Sequence, residues 1–169
     1  DNDKSAQENA EMYLELLPFA KECRVKIATE NMWNWDAEKD QSSFAACATS
    51  ESFNEHLDAV KDDYFVACLD IGHAEMRGSG SGAAAMIYAL NDRLQALHIH
   101  DNDKLHDSHQ PPFSMNIDFV PIVKALKEID YNGYFTLEAS YYIENLKNPD
   151  IPECVKILKD SAQKLADMY

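Results

Sequence analysis

Apolar residues along the chain recur first at helical spacing and then in short uninterrupted runs. Residues 5–23 predict an amphipathic helix whose apolar positions are Met12, Leu16, Phe19 and Ala20. The segment RVKIATEN follows and predicts a short buried strand that stops at Glu30. A helix followed by a buried strand is the unit that the rest of the chain repeats.

Three further apolar runs predict strands: YFVACLDIGH ends at Asp70, LQALHIHD ends at residues 98–101, and YFTLEAS ends at Glu138. Helices are predicted between and after them, at residues 52–62, after the connection GSGSG, within IDFVPIVKALKEIDYNG, and at residues 149–168. Buried strands about 30 residues apart, separated by helices, indicate right-handed crossovers and a parallel sheet. The fold class is therefore α/β.

Every predicted strand ends in a carboxylate or a histidine, which favours a (β/α) barrel over an open doubly wound sheet. Barrel strands all deliver residues to one shared face, whereas an open sheet gathers them at one switch point. A complete barrel has eight strands and typically ~250 residues. The 169 residues therefore predict a single domain, residues 1–169, that forms about half of such a barrel.

The charge balance argues against nucleic acid as a partner. Lys and Arg total 15 against 30 Asp and Glu, which gives a formal charge of −15, and such a surface repels a phosphate backbone. The four scattered cysteines contain no CxxC pair and predict buried thiols in a reducing compartment. No apolar run approaches the ~20 residues of a membrane span, so we expect a cytoplasmic protein without a membrane partner.

The residues that end the four strands are Glu30, Asp70, His98 and Glu138. Taken singly, each is most simply a solvated loop residue or a helix cap. Their recurrence at four strand ends instead predicts a divalent metal site. Three carboxylates and one imidazole suit Mn²⁺, Mg²⁺ or Co²⁺, and Zn²⁺ also accepts this set.

The loop DNDKLHDSH that follows the third strand holds further candidates. Asp107 and His109 are either a second ligand pair or a polar loop stiffened by the two prolines that follow, and we favour the ligand pair. His73 is either a substrate or metal contact or a buried core histidine. His100 and Asp101 are expected to orient the loop.

A predicted loop after the first strand contains Trp33 and Trp35. They either line a sugar pocket, since aromatic faces pack on sugar rings, or anchor the loop. GSGSG is not a phosphate-binding loop, because it lacks the Lys-Ser/Thr that such loops carry.

In this order and spacing, KIATENM, CLDIGHAEMRG, LHIHDND…HDSHQPPF…IDF and GYFTLEAS resemble the xylose isomerase-like barrel superfamily. Its members are sugar and sugar-phosphate isomerases and epimerases, together with endonuclease IV. The resemblance covers essentially the whole chain and is to strands five to eight, the C-terminal half of the barrel.

The resemblance also implies roles for single residues. It places Glu30, Asp70, His98 and Glu138 on the four metal ligands of the family. His73 falls on a histidine that contacts substrate in the epimerases and binds zinc in the endonuclease, and Lys104 falls where a basic substrate contact often lies. Asp107 and His109 are similar to the Asp-x-His pair of multi-zinc members.

The activity implied by the resemblance is proton transfer next to a ketose carbonyl, with Glu30 and Glu138 as acid and base and a small sugar or sugar phosphate as substrate. Two alternatives stay open: a zinc-dependent DNA repair enzyme like endonuclease IV, and a non-catalytic half-barrel module or inactive fragment. Four strands leave two open sheet edges, so we expect a homo-oligomer.

Overall fold

The computed structural model describes residues 2–169, in which strands and helices alternate. The helices are α1 Ala6–Cys23, α2 Ser50–Val60, α3 Ile71–Glu75, α4 Ala83–Leu90, α5 Phe119–Glu128, α6 Tyr141–Glu144 and α7 Ile151–Met168, with a 3₁₀ turn at Asn91–Arg93. The strands are β1 Ile27–Glu30, β2 Trp33–Asp36, β3 Gln41–Phe44, β4 Phe65–Asp70, β5 Leu94–Ile99 and β6 Thr136–Leu137.

The main sheet has four parallel strands in the order β1-β4-β5-β6. Its register places Asp70 beside His98, and His98 beside Thr136. Because parallel strands end at the same edge of a sheet, this register gathers the strand-end side chains on one side of the molecule. The predicted α/β class with a four-stranded parallel half-barrel is confirmed.

The helices lie side by side in the order α1, α2, α4, α5, α7, and the core forms between this row and the sheet. Fully buried side chains from both layers meet there, among them Phe53, Leu69, Met86, Leu97 and Ile122. Burying a side chain of this size contributes about 1.5–3 kcal/mol. The core thus fixes the strands whose ends carry the candidate site.

The apolar face predicted for α1 is wrong at three of its four positions. Met12, Leu16 and Phe19 are exposed, and Phe19 retains 66% of its accessible surface. The face that packs on α2 instead carries Ala10, Leu17 and Ala20 among its buried residues. Both stripes have helical spacing, so periodicity cannot tell which one meets the core.

The segment with the two tryptophans is an antiparallel hairpin rather than a loop. β2 and β3 pair from Trp33 opposite Phe44 to Asp36 opposite Gln41. Trp33 and Trp35 are two residues apart and stand on one face, with ring centroids 6.5 Å apart.

The cysteine prediction holds for three of the four residues. Cys47, Cys68 and Cys154 are buried free thiols, whereas Cys23, at the end of α1, is exposed. Within residues 2–169, no helix is long and apolar enough to cross a membrane.

Candidate metal centre and active site

The four predicted strand-end ligands converge at the C-terminal edge of the sheet. Nδ1 of His98 lies 3.1 Å from Oε1 of Glu30 and 3.2 Å from Oε2 of Glu138. With Asp70 they form a group whose ligand atoms all lie within 4.8 Å of one another. We call Glu30, Asp70, His98 and Glu138 the first cluster.

Charges around the first cluster favour a protonated His98 in the absence of a cation. Hydrogen bonding to the thiol of Cys68 and to the carboxylate of Glu30 outweighs partial burial and raises the pKa of His98 to about 11. Three carboxylates around one imidazole therefore attract positive charge, either a proton or a metal ion.

Asp70 is the most enclosed member of this cluster, with no exposed surface. It is also the N-cap of α3, because its Oδ1 accepts the backbone N–H of His73 at 2.7 Å. Burial acts to raise the pKa of Asp70, but His100 and His73 beside it more than offset this and hold the pKa below its usual range.

Asn31 ties the end of β1 to the end of β4. Its side-chain amide donates to the carbonyl of Asp70 at 3.0 Å, and its side-chain carbonyl accepts the backbone N–H of Asp70 at 2.8 Å. The backbone carbonyl of Asn31 accepts Nδ1–H of His73 at 2.9 Å. One buried residue next to Glu30 thus fixes two of the candidate site residues.

A second cluster, His73, His100, Asp107 and His109, lies beside the first. Oδ2 of Asp107 is 3.4 Å from Nε2 of His73 and 3.1 Å from Nε2 of His109. Nδ1–H of His109 donates to the carbonyl of Glu138 at 2.7 Å. Because the Nδ1 atoms of His73 and His109 are both held by backbone carbonyls, their Nε2 atoms are directed at Asp107, as in histidine metal ligands.

The second cluster also has perturbed protonation. Burial acts to lower the pKa of His73, but Asp107 and Asp70 raise it to about 9. Hydrogen bonding to Asp107 raises the pKa of His109 to about 8. Burial acts to raise the pKa of Asp107, yet the hydrogen bonds from His109 and His73 leave it well below its usual range.

Several buried polar atoms around these clusters lack a hydrogen-bond partner within residues 2–169: Oδ2 of Asp70, both ring nitrogens of His100, and Oδ1 of Asp107. Buried polar groups in folded proteins nearly always have partners, so this concentration fits cation binding. Three carboxylates and one imidazole in the first cluster suit a hard divalent ion, and three imidazoles with one carboxylate in the second suit Zn²⁺.

A cavity of about 460 Å³ opens directly onto both clusters. Glu30, His73, His109 and Glu138 contribute to its lining, together with Trp33 from the hairpin and Tyr141 from α6. The indole N–H of Trp33 donates to Oδ2 of Asp107 at 3.4 Å, and the Tyr141 ring lies 4.8 Å from that of His109. Two aromatic rings therefore border the clusters.

Lys104, the basic substrate contact implied by the resemblance, lies away from this lining within residues 2–169. Its Nζ is 3.1 Å from Oε2 of Glu75. Asp101 orients the loop as expected, since its carboxylate accepts the backbone N–H groups of Met115 and Ile117 at 2.8 and 3.0 Å.

Sequence reasoning missed Asn31 and Tyr141 and assigned His100 to the loop. A signal existed for His100, because residues two apart in an extended segment share a face and His98 was already a candidate ligand. Asn31 and Tyr141 carried no such signal, since their importance depends on partners far away in sequence.

The fold and the strand-end site together define a class of protein. The chain matches the xylose isomerase-like TIM barrel family over residues 1–163 and belongs to that family. The resemblance found from the motifs is thereby confirmed.

Two curated relatives extend this match. The chain is similar to the uncharacterized protein MJ1311 of Methanocaldococcus jannaschii, with 26% identity over 137 residues, 81% of this chain and 44% of the relative. It is also similar to the uncharacterized protein y4fM of Sinorhizobium fredii, with 30% identity over 131 residues, 72% of this chain and 39% of the relative. The chain thus spans less than half the length of these relatives.

Solved structures share the fold over almost the whole chain. A D-tagatose 3-epimerase-like protein matches with 25% identity and a TM-score of 0.70, over 96% of this chain and 56% of that one. D-allulose 3-epimerase from Methylomonas sp. matches with 20% identity and a TM-score of 0.69, over 95% and 54%. The IOLI protein, solved with a binding zinc atom, matches with 20% identity and a TM-score of 0.74, over 97% and 57%.

Proposed function

We propose that the chain carries the metal centre and the acid–base pair of a sugar isomerase or epimerase. The observation that carries this proposal is the convergence of Glu30, Asp70, His98 and Glu138 from four parallel strands onto one edge of the sheet. Similarity to a D-tagatose 3-epimerase-like protein over nearly the whole chain supports it.

The first cluster would hold a divalent ion, Mn²⁺, Mg²⁺ or Co²⁺, with Zn²⁺ as a further fit. Such an ion supplies Lewis acidity that stabilises negative charge on a ketose oxygen. Asp70, buried and hydrogen-bonded to the first turn of α3, contributes a fixed negative charge on the side of the core.

In this proposal Glu30 and Glu138 move the proton. One carboxylate removes the proton from the carbon beside the ketose carbonyl, and the other returns a proton to the opposite face of that carbon, so that configuration inverts with no net change in atoms. Both lie near Nδ1 of His98, at 3.1 and 3.2 Å. Glu30 ends β1 and Glu138 directly follows β6, the two outer strands of the sheet. They therefore flank the same point from two sides.

The substrate would occupy the cavity beside these carboxylates. Its volume of about 460 Å³ is suited to a small sugar, with Trp33 against one apolar face of the sugar and His73 as a polar contact. Lys104 would contact substrate only after leaving Glu75, which makes it the weakest member of the proposed set.

Asp107 and His109 form a second proposed metal site; a second ion would also take Nε2 of His73, which would then no longer contact substrate directly. Oδ2 of Asp107 already lies 3.4 Å from Nε2 of His73 and 3.1 Å from Nε2 of His109, and imidazole-rich sets of this kind favour Zn²⁺. The second site adjoins the cavity but contains neither of the proposed acid–base residues.

The proposal is tested by incubating the metal-loaded protein with ketoses, free and phosphorylated, in deuterated water. Proton removal and return would place deuterium on the carbon beside the carbonyl and yield the epimer or isomer. The proposal is contradicted if no deuterium is incorporated and no product forms with Mn²⁺, Mg²⁺, Co²⁺ or Zn²⁺ on any ketose of the panel.

The second cluster also favours one alternative, a zinc-dependent DNA repair enzyme like endonuclease IV. The net charge of −15 opposes it, because DNA binding depends on neutralising phosphates. A DNA-binding titration of the zinc-loaded protein at low salt decides between the two. Salt-sensitive binding would support the repair enzyme, and no binding would remove it.

The open edges of the sheet support a further part of the proposal, a homo-oligomer in which another copy covers them. β1 and β6 are the outer strands, and the exposed Met12, Leu16 and Phe19 lie on the helix that leads into β1. Unpaired edges beside exposed apolar surface are sites of association.

A further inference from the structure

The glycine-rich connection between α3 and α4, residues 77–82, is packed against the hairpin. Gly78 has a φ of +88°, and a Cβ added to it would lie 2.2 Å from the backbone carbonyl oxygen of Ser42 in β3. Carbon and oxygen atoms overlap at that distance, so any other side chain would push β3 away or distort the connection. Only glycine lets the two segments approach this closely.

Hydrogen bonds hold the same connection to three parts of the molecule. The buried hydroxyl of Ser42 donates to the carbonyl of Arg77 at 2.6 Å, and the backbone N–H of Arg77 donates to the carbonyl of Lys104 at 2.8 Å. The buried hydroxyl of Ser79 donates to the carbonyl of His73 at 2.6 Å. The connection therefore joins the hairpin, α3 and the His-rich loop that contains Lys104.

The contact with Ser42 bears on Trp33, which lines the cavity from the neighbouring strand β2. Ser42 lies opposite Trp35 in the hairpin register, and Trp33 is two residues from Trp35, so all three side chains stand on one face. The indole N–H of Trp33 is 3.4 Å from Oδ2 of Asp107, longer than the roughly 2.7–3.2 Å of a normal N–H···O bond. Because that bond is weak, the position of the half-buried indole depends on where the hairpin rests.

We propose that Gly78 is a positioning residue for Trp33. By letting β3 rest on the connection, it sets where the indole stands at the cavity and thus how a sugar fits there. The effect on sugar binding rests on the proposed function, whereas the placement of Trp33 does not. Because the connection also binds α3 and the His-rich loop, the three segments that border the cavity share one support.

Tryptophan fluorescence tests the placement without substrate. Trp33 and Trp35 are the two tryptophans of the chain, so Trp35→Phe leaves Trp33 as the sole reporter. In this background Gly78→Ala should shift the emission to longer wavelength and increase quenching by acrylamide, because the displaced indole gains contact with water. Unchanged emission and quenching in a folded Gly78→Ala protein would overturn the proposal.

Gly82→Ala is the matched control. Gly82 also has a left-handed φ, +77°, but the nearest atom beyond its chain neighbours to an added Cβ is Oε1 of Glu75 at 3.7 Å, an ordinary contact distance. The two replacements therefore share the backbone strain and differ in the clash with β3. Gly82→Ala should keep the parental emission. An equal shift in both variants would mean that strain, rather than the contact with Ser42, moves the indole, and the proposal would be wrong.

Ser42→Ala probes the same contact without adding an atom, which keeps the test decisive if Gly78→Ala does not fold. It removes the hydroxyl that binds the carbonyl of Arg77, so the emission should shift in the same direction but less. Circular dichroism establishes which variants fold. An unfolded Gly78→Ala protein together with parental emission in Ser42→Ala would count against the proposal.

A double-mutant cycle tests whether the effect on the sugar passes through Trp33. On a ketose that the protein converts, Gly78→Ala should raise KM by no more than the about tenfold expected for loss of the indole, with little change in kcat. In the Trp33→Ala background it should raise KM no further, because residues that act through one contact are not additive. Additive effects on KM would refute a role through Trp33. A fluorescence shift in a protein that is inactive on every ketose would instead contradict the proposed function alone.

Discussion

Nδ1 of His98 lies 3.1 Å from Oε1 of Glu30, although 68 residues separate them in sequence. The contact exists because β4 lies between β1 and β5 in a parallel sheet and the C-terminal ends of all three strands lie at the same edge. The spacing of the proposed ligands is therefore set by the packing that holds the strands in this order.

Replacing Glu138 by Gln should abolish turnover. The change keeps the size of the side chain but removes the proton acceptor and one charged ligand, so turnover should fall at least ~10²–10⁴-fold, the usual contribution of a general acid or base. Isothermal titration should also show weaker metal binding at the first cluster. Glu144→Gln, at an exposed position in α6, is the control, and full activity in Glu138→Gln would refute the assignment.

Metal binding to the second cluster should release protons, and its affinity should rise with pH. The pKa values of His73 and His109 are raised to about 9 and about 8 in the metal-free protein, so both imidazoles carry a proton at pH 7 that a metal must displace. Release should approach two protons at pH 7, fall as the pH rises through 8 and 9, and become small above about pH 10. Calorimetry in two buffers of different ionisation enthalpy measures the number of protons released. Metal binding whose affinity does not change with pH would contradict the second metal site.

Replacing Trp33 by Ala should raise the KM for the sugar while changing kcat little. The indole borders the cavity, but it belongs to neither cluster, so its removal takes away binding common to the ground and transition states. A loss of ~1.5 kcal/mol, typical of an aromatic contact, corresponds to about a tenfold rise in KM.

Trp35→Ala is the matched control for Trp33, since Trp35 stacks on His106 and is absent from the cavity lining within residues 2–169. Equal effects of the two replacements on KM would mean that Trp33 acts through the hairpin rather than through the substrate.

The double replacement Leu16→Glu and Phe19→Glu should disrupt self-association. Both side chains are exposed on one stripe of α1, where burial in a dimer would remove apolar surface from water and a carboxylate would oppose it. Sedimentation velocity should show the parent as an oligomer and the variant as a monomer. Leu14→Glu, at an exposed leucine outside this stripe, should leave the oligomer intact; a monomeric parent would contradict the expectation.

The sequence predicted the four strands and the residues at their ends because buried parallel strands are short apolar runs and their polar ends stand out. The prediction failed for the buried face of α1, because two different faces of this helix carry apolar residues at helical spacing. The stripe of Met12, Leu16 and Phe19 and the stripe of Ala10, Leu17 and Ala20 both have helical spacing, and only the contact with α2 selects the second.

The environment of His100 was beyond prediction for a different reason. Its burial depends on the missing Cβ of Gly72 and on the ring of His109, and no local sequence pattern indicates contacts with residues this far away in the chain. The hairpin of Trp33 and Trp35 was missed because a strand of four residues is too short to show alternation clearly.

Asn31 makes the ligand geometry independent of the loops around it. Its hydrogen bonds join the backbone of Asp70 to the end of β1, so contacts at the sheet edge, rather than the hairpin or the His-rich loop, align the backbone at Glu30 and Asp70. In the proposed function, a change in the sequence of the loops that line the cavity would therefore alter the contacts with the sugar without moving the backbone of these two ligands.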